Sequence, residues 1–537
     1  MKKLLILPVA ALCVSATFYM AGDPVKAPSN WFNLSLSDNG TRGVATEKTY
    51  KELLAGKTPD TIIVAVIDGG VDYTHEDLKN VMWHNPGEIP NNKIDDDKNG
   101  YIDDVYGWNF IGGANGENVE HDNLELTREY RRLKKQFKNK TIDDVPASEK
   151  ADFERYLLIQ KDFNAEYAGA KAVFDNIAPI YRLNKGMNEE IKGKTGKDTV
   201  TYDDFIAYTP STQYANYVGW LKSTNVKKAE DWGSWNSDIA DWYDQLNSRL
   251  EYHLNTDYDS RNIVGDNYAN ADEKYYGNND IKGPDAVHGT HVAGIIAAQR
   301  GNNIGMDGVA NAVKIMGVRV VPDGDERDKD VANGIIYAVD NGAKIINMSF
   351  GKAYGYNKAV VDKAVKYAES KGVLLVHAAG NDSKDNDKKD NFPNARFADG
   401  GVATNWIEVG ALSWKSGKNS LAPFSNYGKV GVDVFAPGVD INSCKSNGGY
   451  IDLSGTSMAS PVAAGVCAVL KCYFPNLTPA EIKNIIETSS DKSMAKKKVI
   501  IPGEKKKKAK FNTLCKTGGV VSLYTAVQMA SGATPKK

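Results

Sequence analysis

The stretch TIIVAVIDGG, residues 61–70, decides the fold. Six apolar residues, Ile62 to Ile67, run without interruption before a carboxylate, Asp68, meets two glycines. A half-exposed strand alternates apolar with polar residues. An unbroken apolar run of this length belongs to a strand buried on both faces, the habit of parallel sheets covered by helices. The glycine pair turns the chain and leaves Asp68 at the carboxyl end of the strand.

Apolar runs of the same kind recur at 314–321, 344–350, 372–379, 407–412 and 432–437. Helix patterns lie between them, at 330–341 before Gly342 and at 358–370 before Gly372. Strands alternating with amphipathic helices predict βαβ crossovers. We therefore expect an α/β fold: a doubly wound, mostly parallel sheet with helices on both faces. Residues 86–279 break the pattern with polar, helical periodicity at 124–137, 149–163 and 237–254. Residues 121–260 hold four of the nine Trp and 11 of the 27 Tyr, too much aromatic surface for a disordered linker. The expected organisation is one domain from 61–85 and 280–530, with 86–279 as an inserted, largely helical subdomain. Residues 22–60 form an N-terminal extension and 531–537 a tail.

Composition sets bounds. Of 537 residues, 42% are hydrophobic and 25% charged, which excludes a disordered chain, a fibre and a multi-span membrane protein. Basic and acidic residues number 66 and 68, a net charge of −2, so no electrostatic case exists for nucleic acid as a partner. The nine lysines of 492–510 read as a solvated surface loop. At the N-terminus, Lys2 and Lys3 precede an apolar run from Leu4 to Leu12 and the chain turns polar at Gly22. That is a signal peptide over 1–21, and the protein is expected to be exported. Cleavage after Ala16 fits; Cys13 reads either as discarded with the signal or as a lipid anchor. Cys444, Cys467, Cys472 and Cys515 then remain, with no CxxC and no Cys/His metal spacing, so buried free thiols are expected.

Acyl transfer to a hydroxyl needs a serine, an imidazole that takes its proton, a carboxylate that holds the imidazole, and donors for the developing oxyanion. Each has a candidate at a strand end or helix start. Asp68 ends a strand. His288 opens the apolar helix of HGTHVAG, 288–294. Ser457 lies in GTSMASP, 455–461, at the head of a long apolar helix whose N-terminal N–H groups and dipole suit an oxyanion. Asn381, in AAGN at 378–381, follows another buried strand and offers a side-chain amide.

Taken together, these four motifs, in the order Asp, His, Asn, Ser, resemble the subtilisin-like serine peptidases (subtilases) of bacteria, with a large insertion between Asp and His. The similarity covers about 61–85 and 285–490, plus a terminal helix near 521–528. The order Asp…His…Ser is the known order for subtilisin. The resemblance implies an exported serine endopeptidase working through an acyl-enzyme on protein or peptide substrates, without a catalytic cofactor; we take it as a monomer. It assigns Ser457 as nucleophile, His288 as general base and then acid, Asp68 as the orienting carboxylate, and Asn381 with the Ser457 N–H as the oxyanion hole. Ser349, Phe350 and Gly351 would pair with extended substrate. Ala378 to Gly380 would wall the pocket for the residue before the cleaved bond.

Other readings compete. His291, three residues after His288, suggests a zinc pair, but no Glu follows and no third ligand is in sight. A G-x-S-x-G elbow of the α/β-hydrolase type requires a His after the Ser, and the seven His (75, 84, 121, 253, 288, 291 and 377) all precede Ser457. A non-catalytic binding protein on the same scaffold is the remaining alternative, although every catalytic group is present.

Asp95, Asp97, Asn99, Gly100 and Asp103 match the first half of a calcium loop, although Tyr106 stands where a Glu is usual. The alternative is a turn-rich acidic loop. The resemblance adds Asp77 and the Asn302-Asn303 loop as a place where a structural calcium is often bound. The insertion is expected to narrow access or add substrate-contacting surface. The roughly 40 residues before the first strand are too few for the usual inhibitory prodomain, so little maturation is expected. The acidic loop 322–328 is expected either to favour basic substrate residues or to be a plain surface turn.

Overall fold

Ile62–Asp68 forms β1, and its side chains divide by parity. Ile62, Val64 and Val66 enter one apolar core while Ala65 and Ile67 enter another. Burial on both faces follows from the unbroken apolar run. The structure, a computed structural model, describes residues 26–532; the signal segment 1–21, Cys13 and the end of the tail lie outside them.

Six further strands join β1: β2 (Gly107–Asn109), β3 (Val313–Arg319), β4 (Ile345–Met348), β5 (Leu374–Ala378), β6 (Trp406–Leu412) and β7 (Val434–Pro437). The order is β2-β3-β1-β4-β5-β6-β7 and every pairing is parallel. Strand order reverses at β1, whose neighbours β3 and β4 lie on opposite sides. Clefts of open α/β sheets form at the carboxyl ends beside such a reversal, which is where Asp68 sits. Helices Val287–Ala297, Thr456–Tyr473, Pro479–Ser489 and Leu523–Ala530 cover one face. Helices Asp328–Asp340 and Lys358–Ser370 cover the other. Next come a short hairpin of β8 (Ile441–Cys444) and β9 (Tyr450–Leu453), and another of β10 (Lys498–Ile500) and β11 (Lys508–Lys510). The last of these gives the lysine-rich stretch a regular pairing where a loop was expected.

The described residues divide into two compact units, one of 26–125 and 260–532 and one of 126–259. Residues 86–125 and 260–279, assigned to the insertion from the sequence, thus fold with the sheet. The reason is β2, too short to be read as a strand, which pairs in parallel with β3 through Gly107 opposite Gly317. Gly107 has φ 133° and a Cβ there would lie 1.8 Å from the Gly317 carbonyl oxygen, so only glycine permits this approach. The extension is also part of the first unit: Trp31 and Phe32 are buried in the core, and Trp31 Nε1 donates to Val439 O at 3.0 Å. Cys444, Cys467, Cys472 and Cys515 are buried and free.

The second unit is helical. Lys150–Thr195 runs 46 residues, far past the expected end at 163, and carries Pro179 inside it. Ala229–Ser248 packs along it. Tyr130 stacks on Phe163 with centroids 4.3 Å apart, and Phe205 on Trp232, also at 4.3 Å. The aromatic excess of this segment is spent on its own core. Among the described residues no helix is long and apolar enough to cross a membrane.

Candidate active site

Asp68 ends β1, and its Oδ1 accepts from the Gly69 N–H at 2.7 Å and from His288 Nδ1 at 2.8 Å. The carboxylate is buried. Its bond fixes the imidazole with the proton on Nδ1 and the lone pair on Nε2. Burial lowers the His288 pKa, but the Asp68 charge and hydrogen bond outweigh it and raise the imidazole above its ordinary value. Gly289 belongs here too: a Cβ on it would lie 2.2 Å from Gly70 O and 3.1 Å from Asp68 Oδ1.

Ser457 stands in the first turn of Thr456–Tyr473, one strand over. Its Oγ donates to Ser349 O at 3.0 Å, and Ser349 Oγ donates to Ser457 O at 2.9 Å. Ser349 follows β4, whose Met348 is the partner of Ile67 in β1. Asp68 and Ser349 are therefore the next residues along adjacent strands, about 5 Å apart. Helix Thr456–Tyr473 also packs against Val287–Ala297, which carries His288. The serine is buckled to the strand beside the carboxylate–imidazole pair.

Asn381 follows β5. Its Oδ1 accepts from Thr456 N at 2.8 Å and from Thr456 Oγ1 at 2.9 Å, which leaves Nδ2 turned the other way. A Cβ placed on Gly455 would lie 3.5 Å from Ser457 N and 3.6 Å from both Asn381 Nδ2 and Ser457 Cβ. Two N–H donors and the serine therefore converge on one small space. Gly380 N–H donates to Thr456 Oγ1 at 3.1 Å, and Asn391 Nδ2 reaches Ala378 O at 3.3 Å. A Cβ on Gly351 would meet the Asn391 amide at 2.8 Å, and one on Gly380 would meet Asn391 Nδ2 at 3.5 Å. Asn391 thus spans from the Phe350-Gly351 strip to the Ala378–Gly380 segment.

Three supporting residues escaped the sequence reading. Arg319, opposite Asp68 in the β1–β3 register, is buried and donates to Gly69 O at 2.8 Å, Asn109 Oδ1 at 3.3 Å and Val119 O at 2.6 Å. Burial pushes its guanidinium down to about 10. It holds Gly69 through the carbonyl on the far side of the residue whose N–H donates to Asp68. Asn426 binds the Ala379–Lys384 segment. Glu88 belongs to the acidic loop: its carboxylate lies with those of Asp95 and Asp97, ligand oxygens all within 4.8 Å. It reaches that loop from seven residues upstream, which no loop pattern encodes.

The other acidic candidates separate. Asn99 Nδ2 donates to Asp97 Oδ2 and Asp104 Oδ2 at 3.2 and 3.1 Å. Asp103 turns to the N–H groups of Asn92 and Lys93. Asp77 lies apart, accepting from Asn302 Nδ2 at 2.6 Å. His291 is no metal ligand: Nε2 lies 3.0 Å from both Ile441 O and Ile451 O, so it carries the proton. The loop 322–328 buries Glu326, Arg327 and Asp328 but leaves Asp323 exposed. Asp323 meets His121, Asp325 accepts from the Glu125 N–H, Arg327 pairs with Asp122, and Asp328 holds Lys352 Nζ at 2.7 Å. Lys352 Nζ also meets Glu125 at 2.8 Å. Asp328 thus has a cation of its own and Asp323 a histidine, while Asp325 is satisfied by a backbone N–H.

A carboxylate–imidazole pair, a serine heading a helix and a carboxamide beside it, along one edge of a doubly wound sheet, are the equipment of a serine hydrolase. Comparison gives the family. The subtilase family profile (Peptidase_S8) matches residues 60–518. A thermophilic serine proteinase of Bacillus sp. strain AK1 is 37% identical over 337 residues, 60% of this chain and 77% of that protein. A thermostable alkaline protease of Halalkalibacterium halodurans is 36% identical over 233 residues, 43% of this chain and 58% of that protein. Among solved structures, a protease of Pseudoalteromonas arctica is 29% identical, with a TM-score of 0.37 over 46% of this chain and 74% of that one. The chain belongs to the subtilase family. Its enzymatic class is that of a subtilisin-like serine protease.

Proposed function

We propose that the protein is an exported endopeptidase in which Ser457, His288 and Asp68 cleave peptide bonds through an acyl-enzyme. The observation that carries this is the bond from His288 Nδ1 to Asp68 at 2.8 Å, which leaves Nε2 with its lone pair to act as the base. Ser457 Oγ turns from Ser349 O to His288 Nε2, gives up its proton and attacks the scissile carbonyl carbon. The carbonyl oxygen takes the negative charge and receives the Ser457 N–H and Asn381 Nδ2, in a space where preorganised donors need no reorientation. The imidazolium, steadied by Asp68, passes its proton to the leaving amine, and a water then repeats the sequence on the ester. Ser349, Phe350 and Gly351 pair with the extended substrate and Ala378 to Gly380 form the facing wall.

We also propose a structural calcium on Glu88, Asp95 and Asp97. Three carboxylates at this separation repel one another, and a hard divalent cation with oxygen ligands relieves that repulsion. Glu88 stands in for the glutamate missing at Tyr106. Calcium should raise the unfolding temperature of the protein but not that of Glu88→Gln; an equal shift in both refutes the site.

A fluorophosphonate tests the main reading. It should label the folded protein at Ser457, and Ser457→Ala should abolish labelling. A folded wild-type protein that takes no label is a binding protein on this scaffold.

A further inference from the structure

The candidate oxyanion donor Asn381 does not hold itself in place. Its segment leaves β5 through Gly380, at φ 103°, and the backbone on both sides is bound by one buried side chain far along the chain, Asn426. Asn426 Nδ2 donates to Ala379 O at 2.9 Å and its backbone N–H donates to Gly380 O at 2.8 Å. Its Oδ1 accepts from Asp382 N at 3.0 Å and Lys384 N at 2.8 Å. Four bonds thus bracket residue 381, two before it and two after. A second buried carboxamide, Asn386, also donates to Ala379 O at 3.0 Å. Contact with Asn426 is close enough to forbid a side chain at 380: a Cβ there would lie 2.5 Å from Asn426 Nδ2.

A loop peptide can rotate at little cost, and a donor off by an ångström loses most of its effect on the transition state. A carboxamide is suited to fixing such a loop because it offers a donor and an acceptor in one rigid plane. We infer that Asn426 is a positioning residue for catalysis, acting through Asn381 by fixing the Ala379–Lys384 backbone. The inference rests on the reading of Asn381 as an oxyanion donor.

A double-mutant cycle tests it on a small chromogenic peptide, with the unfolding temperature of each variant recorded. Asn381→Ala should lower kcat by roughly a hundredfold to a thousandfold. Asn426→Ala should lower kcat by roughly tenfold to a hundredfold with KM unchanged. The double variant should be no slower than Asn381→Ala, because the positioned group is already gone. An unchanged kcat in Asn426→Ala, or losses that multiply in the double variant, overturns the inference. An unchanged kcat in Asn381→Ala overturns the oxyanion reading itself, a distinguishable failure. If Asn426→Ala does not fold, Asn426→Asp, which keeps the acceptor bonds to Asp382 and Lys384 but not the donation to Ala379 O, serves in the same cycle with the same criteria.

Discussion

His291 gives the sharpest test of the structure because its contribution changes with pH in a predictable direction. The imidazole is fully buried, and Nε2–H bridges Ile441 O and Ile451 O, clamping helix Val287–Ala297 to both strands of the β8–β9 hairpin. Burial depresses its pKa from 6.5 to about 4. The sign follows directly. Above pH 6.5 the ring is neutral in folded and unfolded chains alike, and the clamp has its full strength. As pH falls from 6.5 towards 4, the unfolded chain takes up a proton that the folded one refuses, and stability is lost. At about 1.4 kcal/mol per pH unit, the loss across that window is about 3 kcal/mol. His291→Gln keeps an N–H donor near the Nε2 position and removes the titration. Chemical denaturation in a Ser457→Ala background, which prevents self-digestion, should show the variant somewhat less stable at pH 7.5. From there to pH 4 it should lose about 3 kcal/mol less than the parent. Asp104, whose carboxyl is pushed up to about 6 by burial, titrates equally in both proteins and drops out of the difference. Parallel stability curves would refute the assignment of a buried neutral imidazole.

Asp68→Asn should cost about four orders of magnitude in kcat, and the acid limb of kcat/KM, set by His288, should move to lower pH; a stationary limb argues that the imidazole is tuned by something else. Lys352→Met strands the buried carboxylates of Glu125 and Asp328 without their cation and should lower stability by about 3–5 kcal/mol, against an unchanged denaturation midpoint if the pairs are idle. Replacing residues 126–259 by a short linker should change the ratio of activity on folded proteins to activity on short peptides. An unchanged ratio denies the inserted unit any part in substrate choice.

What could be read in the sequence was local. Ile62–Asp68 announced itself because a strand buried on both faces carries few polar residues, and here the apolar run is unbroken up to Asp68. GTSMASP and HGTHVAG were legible for a related reason, since a helix start that offers side chains to chemistry must be written in consecutive residues. β2 was not legible. Three residues, Gly107 to Asn109, have no periodicity, and they become a strand only because Gly107, lacking a side chain, lets its backbone meet that of Gly317. The helix from Lys150 to Thr195 was truncated in the reading because the amphipathic pattern weakens beyond Phe163, and Pro179 suggests a stop that the chain overrides.

The loop 322–328 shows the deeper limit. Four carboxylates in seven residues look outward when only the sequence is considered, because charge prefers water. Whether they do depends on what the fold brings to them: here His121 reaches Asp323 and Lys352 reaches Asp328 from elsewhere in the chain, while Arg327, within the loop, pairs with Asp122. Glu88 and Asn426 are the same case with the opposite outcome: single residues of ordinary appearance that gain a role from partners elsewhere in the fold. Chemistry at this site is carried by residues with strong local signatures. The parts that fix its geometry, Arg319 under Gly69 and Asn426 around Asn381, are bound through backbone carbonyls and N–H groups, which every residue possesses and no sequence marks. A search for such parts therefore has to begin from the backbone atoms flanking each reacting group and ask which distant side chain holds them.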